Sequence, residues 1–129
     1  MLAVLDTNIL VSAFWSRNGT PARIMRLALD AKILPCIDAR IMHEYREVLL
    51  RPRFAFSTDE VAEMLETLET NGFSVVPTPL DLSFADETDR KFYETAKFCS
   101  AVLITGNIKH FPKEAWIVTP AEFLDAYNL

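Results

Sequence analysis

Cysteine is scarce. Cys36 and Cys99 are the only two, far apart in sequence and in no CxxC pattern. That spacing excludes a thiolate metal site and a disulfide framework, and reads as two small buried hydrophobes in a reducing cytosol. Long apolar runs are also missing. No stretch approaches the ~18 residues that a membrane span needs, so no membrane partner is expected. The N-terminus has no basic leader and no small-residue cleavage site, so no secretory signal is expected and the chain reads as cytoplasmic. Positive charge is not in excess either: 13 Lys and Arg face 18 Asp and Glu, a net charge of -5. This argues against capture of nucleic acid by the whole surface. Bound divalent cations would offset much of that charge wherever the acids cluster. Repeats, low-complexity tracts and linkers are absent, and 129 residues fit a single domain, residues 1–129.

What is present is an alternation of short apolar strands and amphipathic helices. Leu2-Ala3-Val4-Leu5 is a buried strand, closed at once by Asp6-Thr7-Asn8. A short helix follows to about Ser16. Asn18-Gly19 is a turn, and Thr20-Pro21 reads as N-cap and first position of the next helix. Ile33 to Ile37 is a second strand, with Pro35 suggesting an edge or irregular position. Asp38 caps a helix to about Arg51, stopped by Pro52. Ser57 and Glu60 have capping-box spacing for a further helix, ended by Asn71-Gly72. Its Glu63, Glu66 and Glu69 form a solvated face. Phe73 to Val76 is a third strand, Asp89 to Ser100 a helix, and Ala101 to Thr105 a fourth strand. Trp116 to Val118 is a fifth, and Thr119 with Glu122 opens a terminal helix to about Tyr127. This order predicts a three-layer α/β/α fold around a parallel sheet of about five strands.

In such a sheet ligands bind beyond the carboxyl ends of the strands, where Asp6 falls. Capping of the next helix is the competing role for that carboxylate. Glu44 lies at the border of the apolar Ile41–Tyr45–Val48 stripe, within reach of a cleft, with a surface glutamate whose stem covers apolar surface as the competing role. Asp89 shares a face with Phe92, Tyr93 and Ala96 and so points inward, which demands a cation or backbone donors. Asp86 sits three residues earlier on the same face, with helix capping as its competing role. Thr105-Gly106-Asn107 closes the fourth strand, with Gly106 permitting a tight turn and Thr105 and Asn107 offering neutral oxygens. Oxygen ligands without His or Cys at ligand spacing suit Mg²⁺ or Mn²⁺. Metal-assisted hydrolysis of a phosphodiester matches that set.

These segments together resemble the PIN domain, a metal-dependent ribonuclease fold. The closest likeness is to the bacterial branch that holds the toxins of toxin–antitoxin pairs. The likeness runs through Leu5-Asp6-Thr7-Asn8, Glu44-Tyr45-Arg46-Glu47, Asp86-Glu87-Thr88-Asp89 and Leu103-Ile104-Thr105-Gly106-Asn107. It continues through His110-Phe111-Pro112 and the closing Thr119-Pro120-Ala121-Glu122. The resemblance implies that Asp6, Glu44 and Asp89 are the acids that hold the metal, with Asp86 accessory. Thr7 and Thr105 would orient those carboxylates. Asn107 stands where the family often has Asp. An amide is a neutral ligand that cannot act as a base, which puts a two-metal mechanism in doubt. Arg17, Arg51, Arg53, Lys109 and His110 are candidates for contacting RNA phosphates, with ordinary surface charge as the alternative. A metal-dependent endoribonuclease on single-stranded RNA is the expectation. With it come a small antitoxin partner and a homodimer formed through Phe14, Trp15 or Phe123. The alternatives are a catalytically impaired PIN fold that only binds RNA or protein, and a receiver-like phosphorelay domain. The second lacks the paired acids after the first strand.

Overall fold

The computed structural model describes residues 1–127. Among them five strands form one wholly parallel sheet in the order β3-β2-β1-β4-β5. The strands are β1 (Leu2–Leu5), β2 (Leu34–Ile37), β3 (Phe73–Ser74), β4 (Val102–Ile104) and β5 (Ile117–Val118). The helices are α1 (Thr7–Trp15), α2 (Thr20–Leu29), α3 (Ala39–Leu49), α4 (Thr58–Asn71), α5 (Arg90–Cys99) and α6 (Pro120–Tyr127). α1, α2, α3 and α4 pack against one another, α6 rests on α2, and α5 lies against β1, β2 and β4. The result is the expected three-layer α/β/α fold.

β1 is central because it is apolar on both faces: Ala3, Val4 and Leu5 are fully buried. The chain leaves β1 toward β2 on one side, whereas β4 pairs on the other. The crevice between the carboxyl ends of β1 and β4 is therefore a topological switch point, where open α/β sheets bind ligands. The Tyr45 hydroxyl, buried in α3, donates to the Leu5 carbonyl and fixes the end of β1 beside Asp6.

Several local expectations shift for physical reasons. β2 is not an edge strand; it lies between β1 and β3. Pro35 is tolerated because β3 begins only opposite Cys36, so the missing N–H faces no strand carbonyl. Gly72 packs into that gap. A Cβ there would lie 2.5 Å from the Pro35 carbonyl oxygen, so close approach requires the glycine while its extended φ of -92° does not. α2 is capped by Gly19, one residue before Thr20. β3 is shorter than Phe73 to Val76, although the Val75 amide still donates to Ile37. Phe123 is fully buried in the core and is no dimer contact. Cys36 and Cys99 are distant in sequence yet meet in space, where burial and the neighbouring thiol push Cys36 up. The Asp38 cap and the reciprocal Thr119–Glu122 capping box form as expected.

Candidate active site

Asp6 begins α1 in the N-cap position, but its side chain makes no capping bond. The carboxylate instead crosses the switch-point crevice, and its Oδ2 accepts from the Thr105 hydroxyl at 2.7 Å. Asn8 braces the same crevice. Its Nδ2 lies 3.4 Å from Asp6 Oδ2, and its Oδ1 accepts from the Gly106 amide at 3.2 Å. Gly106 has no positive φ, so its use here is a donor amide and not a special turn. The Asn107 amide donates back to Thr105 Oγ1 at 2.9 Å, which orients that hydroxyl toward Asp6. The Asn107 residue itself is exposed.

Asp6 is 7% exposed, and burial pushes its carboxyl up to about 6 despite the Thr105 bond. The Asp89 and Glu44 charges push it further the same way. Asp89 ends a 3-10 turn over Glu87–Asp89 at the start of α5 and is buried. Burial and the neighbouring Asp86 raise its carboxyl too. Its Oδ2 is buried with no hydrogen-bond partner, and His110 Nδ1 lies 3.7 Å from it. Glu44 enters from α3. One of its oxygens accepts from the Thr7 hydroxyl, and the other lies 2.8 Å from Lys91 Nζ.

The remaining candidates divide. Asp86 is exposed and caps its own turn, accepting from the Thr88 amide at 2.9 Å and hydroxyl at 2.7 Å, bonds that hold its carboxyl below its ordinary value. His110 borders the site, and Lys109 is exposed in the same 3-10 turn. Arg17 pairs with Glu60 at 2.6 Å, Arg51 with Glu47 at 3.3 Å, and Arg53 lies over the Phe54 ring. Those arginines gather near the far end of α1, where Trp15 packs edge-on against Phe54 and Phe56. α1 separates that group from Asp6 by roughly 13 Å of helix.

Two participants were not singled out from sequence: Lys91 and Asn8. Asn8 carried a signal, standing two residues past the strand-end acid. Lys91 stands at i+2 from Asp89, a spacing that straight-helix geometry turns away from the acid face. The 3-10 entry and the packing of α3 against α5 bring it back. Among the described residues no three His, Cys, Asp or Glu side chains are already drawn together tightly enough to hold an ion. The donor chemistry nonetheless fits a hard cation: an orphaned buried carboxylate oxygen at Asp89, and an Asp6 carboxylate short of positive charge.

A family model described as the PIN domain matches residues 3–109. The chain belongs to the PIN domain family. PIN domains are generally nucleases, hydrolases of phosphodiester bonds. This PIN domain is 27% identical over 107 residues to the uncharacterized protein MJ1680 of Methanocaldococcus jannaschii. That alignment covers 81% of this chain and 69% of the archaeal protein. It is also similar to the crystal structure of VapBC2 from Rickettsia felis bound to a DNA fragment from their promoter. There the TM-score is 0.58 at 15% identity, over 92% of this chain and 97% of the matched chain. At that identity the likeness is one of fold.

Proposed function

We propose that this PIN domain is a Mg²⁺- or Mn²⁺-dependent endoribonuclease that cuts single-stranded RNA. The observation that carries this reading is the buried, unpartnered Asp89 Oδ2, in the electrostatic reach of an Asp6 whose carboxyl is raised to about 6. Two acids desolvated at a strand-end crevice, neither in contact with a lysine or arginine, form a site that a cation completes. Asp6 and Asp89 would hold the ion, with Glu44 at its border. Bound there, the ion would supply Lewis acidity, activating water and offsetting charge at the phosphodiester. The protein's own groups do the orienting. Thr105 fixes Asp6, Thr7 fixes Glu44, and His110, 3.7 Å from Asp89, would meet a phosphate or the leaving oxygen.

The biological role we propose is the toxin of a type II toxin–antitoxin pair, with a small antitoxin that places an Arg or Lys in the acidic crevice. The likeness in fold to VapBC2 supports this role. So does an open groove of about 600 Å³ between α1, α2 and α4, floored by Phe14, Met25 and Met64. A homodimer is part of the same proposal, with the 66%-exposed Trp15 as its contact. Light scattering is expected to give twice the 14.7 kDa chain mass, and Trp15→Ser to shift it toward one.

A second reading, a PIN fold that binds RNA or protein without cutting, is favoured by the neutral Asn107. Incubation of a mixed-sequence single-stranded RNA with wild type and Asp6→Asn, in Mn²⁺, Mg²⁺ or EDTA, separates the two. Cutting that needs metal and Asp6 supports the nuclease. RNA binding in EDTA without cutting in any metal supports the binding module.

A further inference from the structure

We propose that the Lys91 ammonium is the built-in second cation of this site, so that the chain takes one divalent ion and not two. The inference rests on the metal-dependent reading above and refines it. Lys91 Nζ lies 2.8 Å from Glu44 Oε1, donates to the Thr88 carbonyl and sits 5.1 Å from the centre of the Phe92 ring. Its side chain is only 11% exposed. A lysine withdrawn that far from water needs committed partners, and here they are fixed on three sides.

The three acids are therefore unequal. Glu44 has both oxygens engaged, one by the Thr7 hydroxyl and one by Lys91. Asp89 Oδ2 has no partner, and Asp6 has only neutral donors. Glu44 has the ammonium in direct contact; Lys91 and His110 act on Asp89 only through space, and Asp6 has neutral donors alone. Asp6, Glu44 and Asp89 against one ammonium leave a charge of minus two, which a single divalent ion cancels; Asp86 also bears on Asp89 but stands in solvent. A second divalent ion would leave an uncompensated excess of two positive charges in a partly desolvated crevice. The position after β4 that could have supplied another acid is the neutral Asn107.

Lys91 holds one Glu44 oxygen and the Thr7 hydroxyl the other. Lys91 is thus a positioning residue that acts through Glu44. By holding Glu44 it sets a fixed positive charge at the rim of the site, where two-metal sites carry a second ion. Unlike an ion, it cannot be removed by a chelator.

Calorimetric titration with MnCl₂ and counting of bound Mn²⁺ by electron paramagnetic resonance test this on wild type, Lys91→Met and Lys91→Arg. Circular dichroism checks the fold of each. Wild type is expected to bind one Mn²⁺ per chain. Lys91→Met frees Glu44 and is expected either to bind Mn²⁺ on the order of tenfold more tightly or to take a second ion, while losing cleavage. Lys91→Arg is expected to keep the wild-type stoichiometry. Two ions on wild type would overturn the proposal and leave the nuclease reading standing. Unchanged affinity and stoichiometry in Lys91→Met would also overturn it. No uptake by wild type would overturn both the proposal and the metal-dependent reading. If Lys91→Met does not fold, Glu44→Gln decides. One retained Mn²⁺ supports the assignment of the ion to Asp6 and Asp89, and its loss overturns it.

Discussion

Asp6 and Asp86 show how much depends on a single carboxylate's surroundings. Both occupy N-cap positions and both were read from sequence as acids with capping as the rival role. Asp86 caps its turn in full view of solvent, whereas Asp6 leaves its helix uncapped and turns into the crevice. Helix-start chemistry is the same for both, so spacing alone does not separate them; burial does. That burial has a measurable consequence. Unfolded, the Asp6 carboxyl returns to its ordinary 3.8; folded, it lies near 6. Between those values the folded state holds a proton that the unfolded chain releases, so stability falls as pH rises through the window and stays lower above it. The loss is on the order of 2–3 kcal/mol. Denaturant unfolding in EDTA is expected to show a less stable protein at pH 7.5 than at pH 5. Asp6→Asn, neutral and still able to accept from Thr105, is expected to reduce that slope to what the raised Asp89 carboxyl contributes and to be the more stable protein at pH 7.5. A wild-type stability that rises from pH 5 to 7.5 would contradict this placing of Asp6.

At the scale of elements, the least regular part of the chain is the connection between β3 and α5. It is held by side chains in place of a ladder. Glu94, 3% exposed, accepts from the Leu80 amide at 2.7 Å and from Arg40 Nη1 at 2.8 Å. Burial alone would raise its carboxyl, but the Leu80 amide and the Arg40 guanidinium hold it below the ordinary value. Arg90 adds donors to the Leu80 and Leu82 carbonyls, an ion pair to Glu87, and a face over the Phe84 ring. Since this network brings the chain into the turn that carries Asp89, it positions the site from outside it. Glu94→Ala is expected to cost about 1–3 kcal/mol, because it leaves the Leu80 amide without an acceptor and Arg40 with Asp38 alone. Thermal unfolding together with faster proteolysis between residues 77 and 88 would report it. Glu94 was not legible in the sequence. It stands on an otherwise apolar helix face whose partners lie 14 and 54 residues away. The strands and helices were legible because each carries its own period and caps. The placing of Pro35 in an inner strand was not, since it depends on where β3 begins. Asp6 and the inward turn of Asp89 could be read from local pattern. The Lys91–Glu44 pair could not, because it joins two helices whose packing no local pattern encodes.

At the scale of the whole molecule, the net charge of -5 and a nuclease function are compatible if a cation completes the acidic crevice. Binding to the folded state alone would then stabilise the protein by mass action. At a hundredfold excess over Kd the gain is about 2.7 kcal/mol, roughly 8 °C in Tm for a domain of this size. Differential scanning calorimetry at pH 7.5 with Mn²⁺ against EDTA is expected to show that rise, and to lose it in Asp89→Asn. The sheet order accounts for why one crevice gathers these groups. β1 and β4 are neighbours whose connections run apart, so Asp6, Asn8 and Thr105 meet at the switch point. α3 and α5 then bring Glu44, Asp89 and Lys91 to its rim. This rim and a divalent ion together are expected to cut RNA. The most direct test is cleavage of a mixed-sequence single-stranded RNA by wild type and Asp6→Asn, with Mn²⁺, Mg²⁺ or EDTA. Wild type is expected to cut with metal, with no cutting in EDTA or by the variant. Equal cutting by both proteins, or cutting that persists in EDTA, would contradict that expectation.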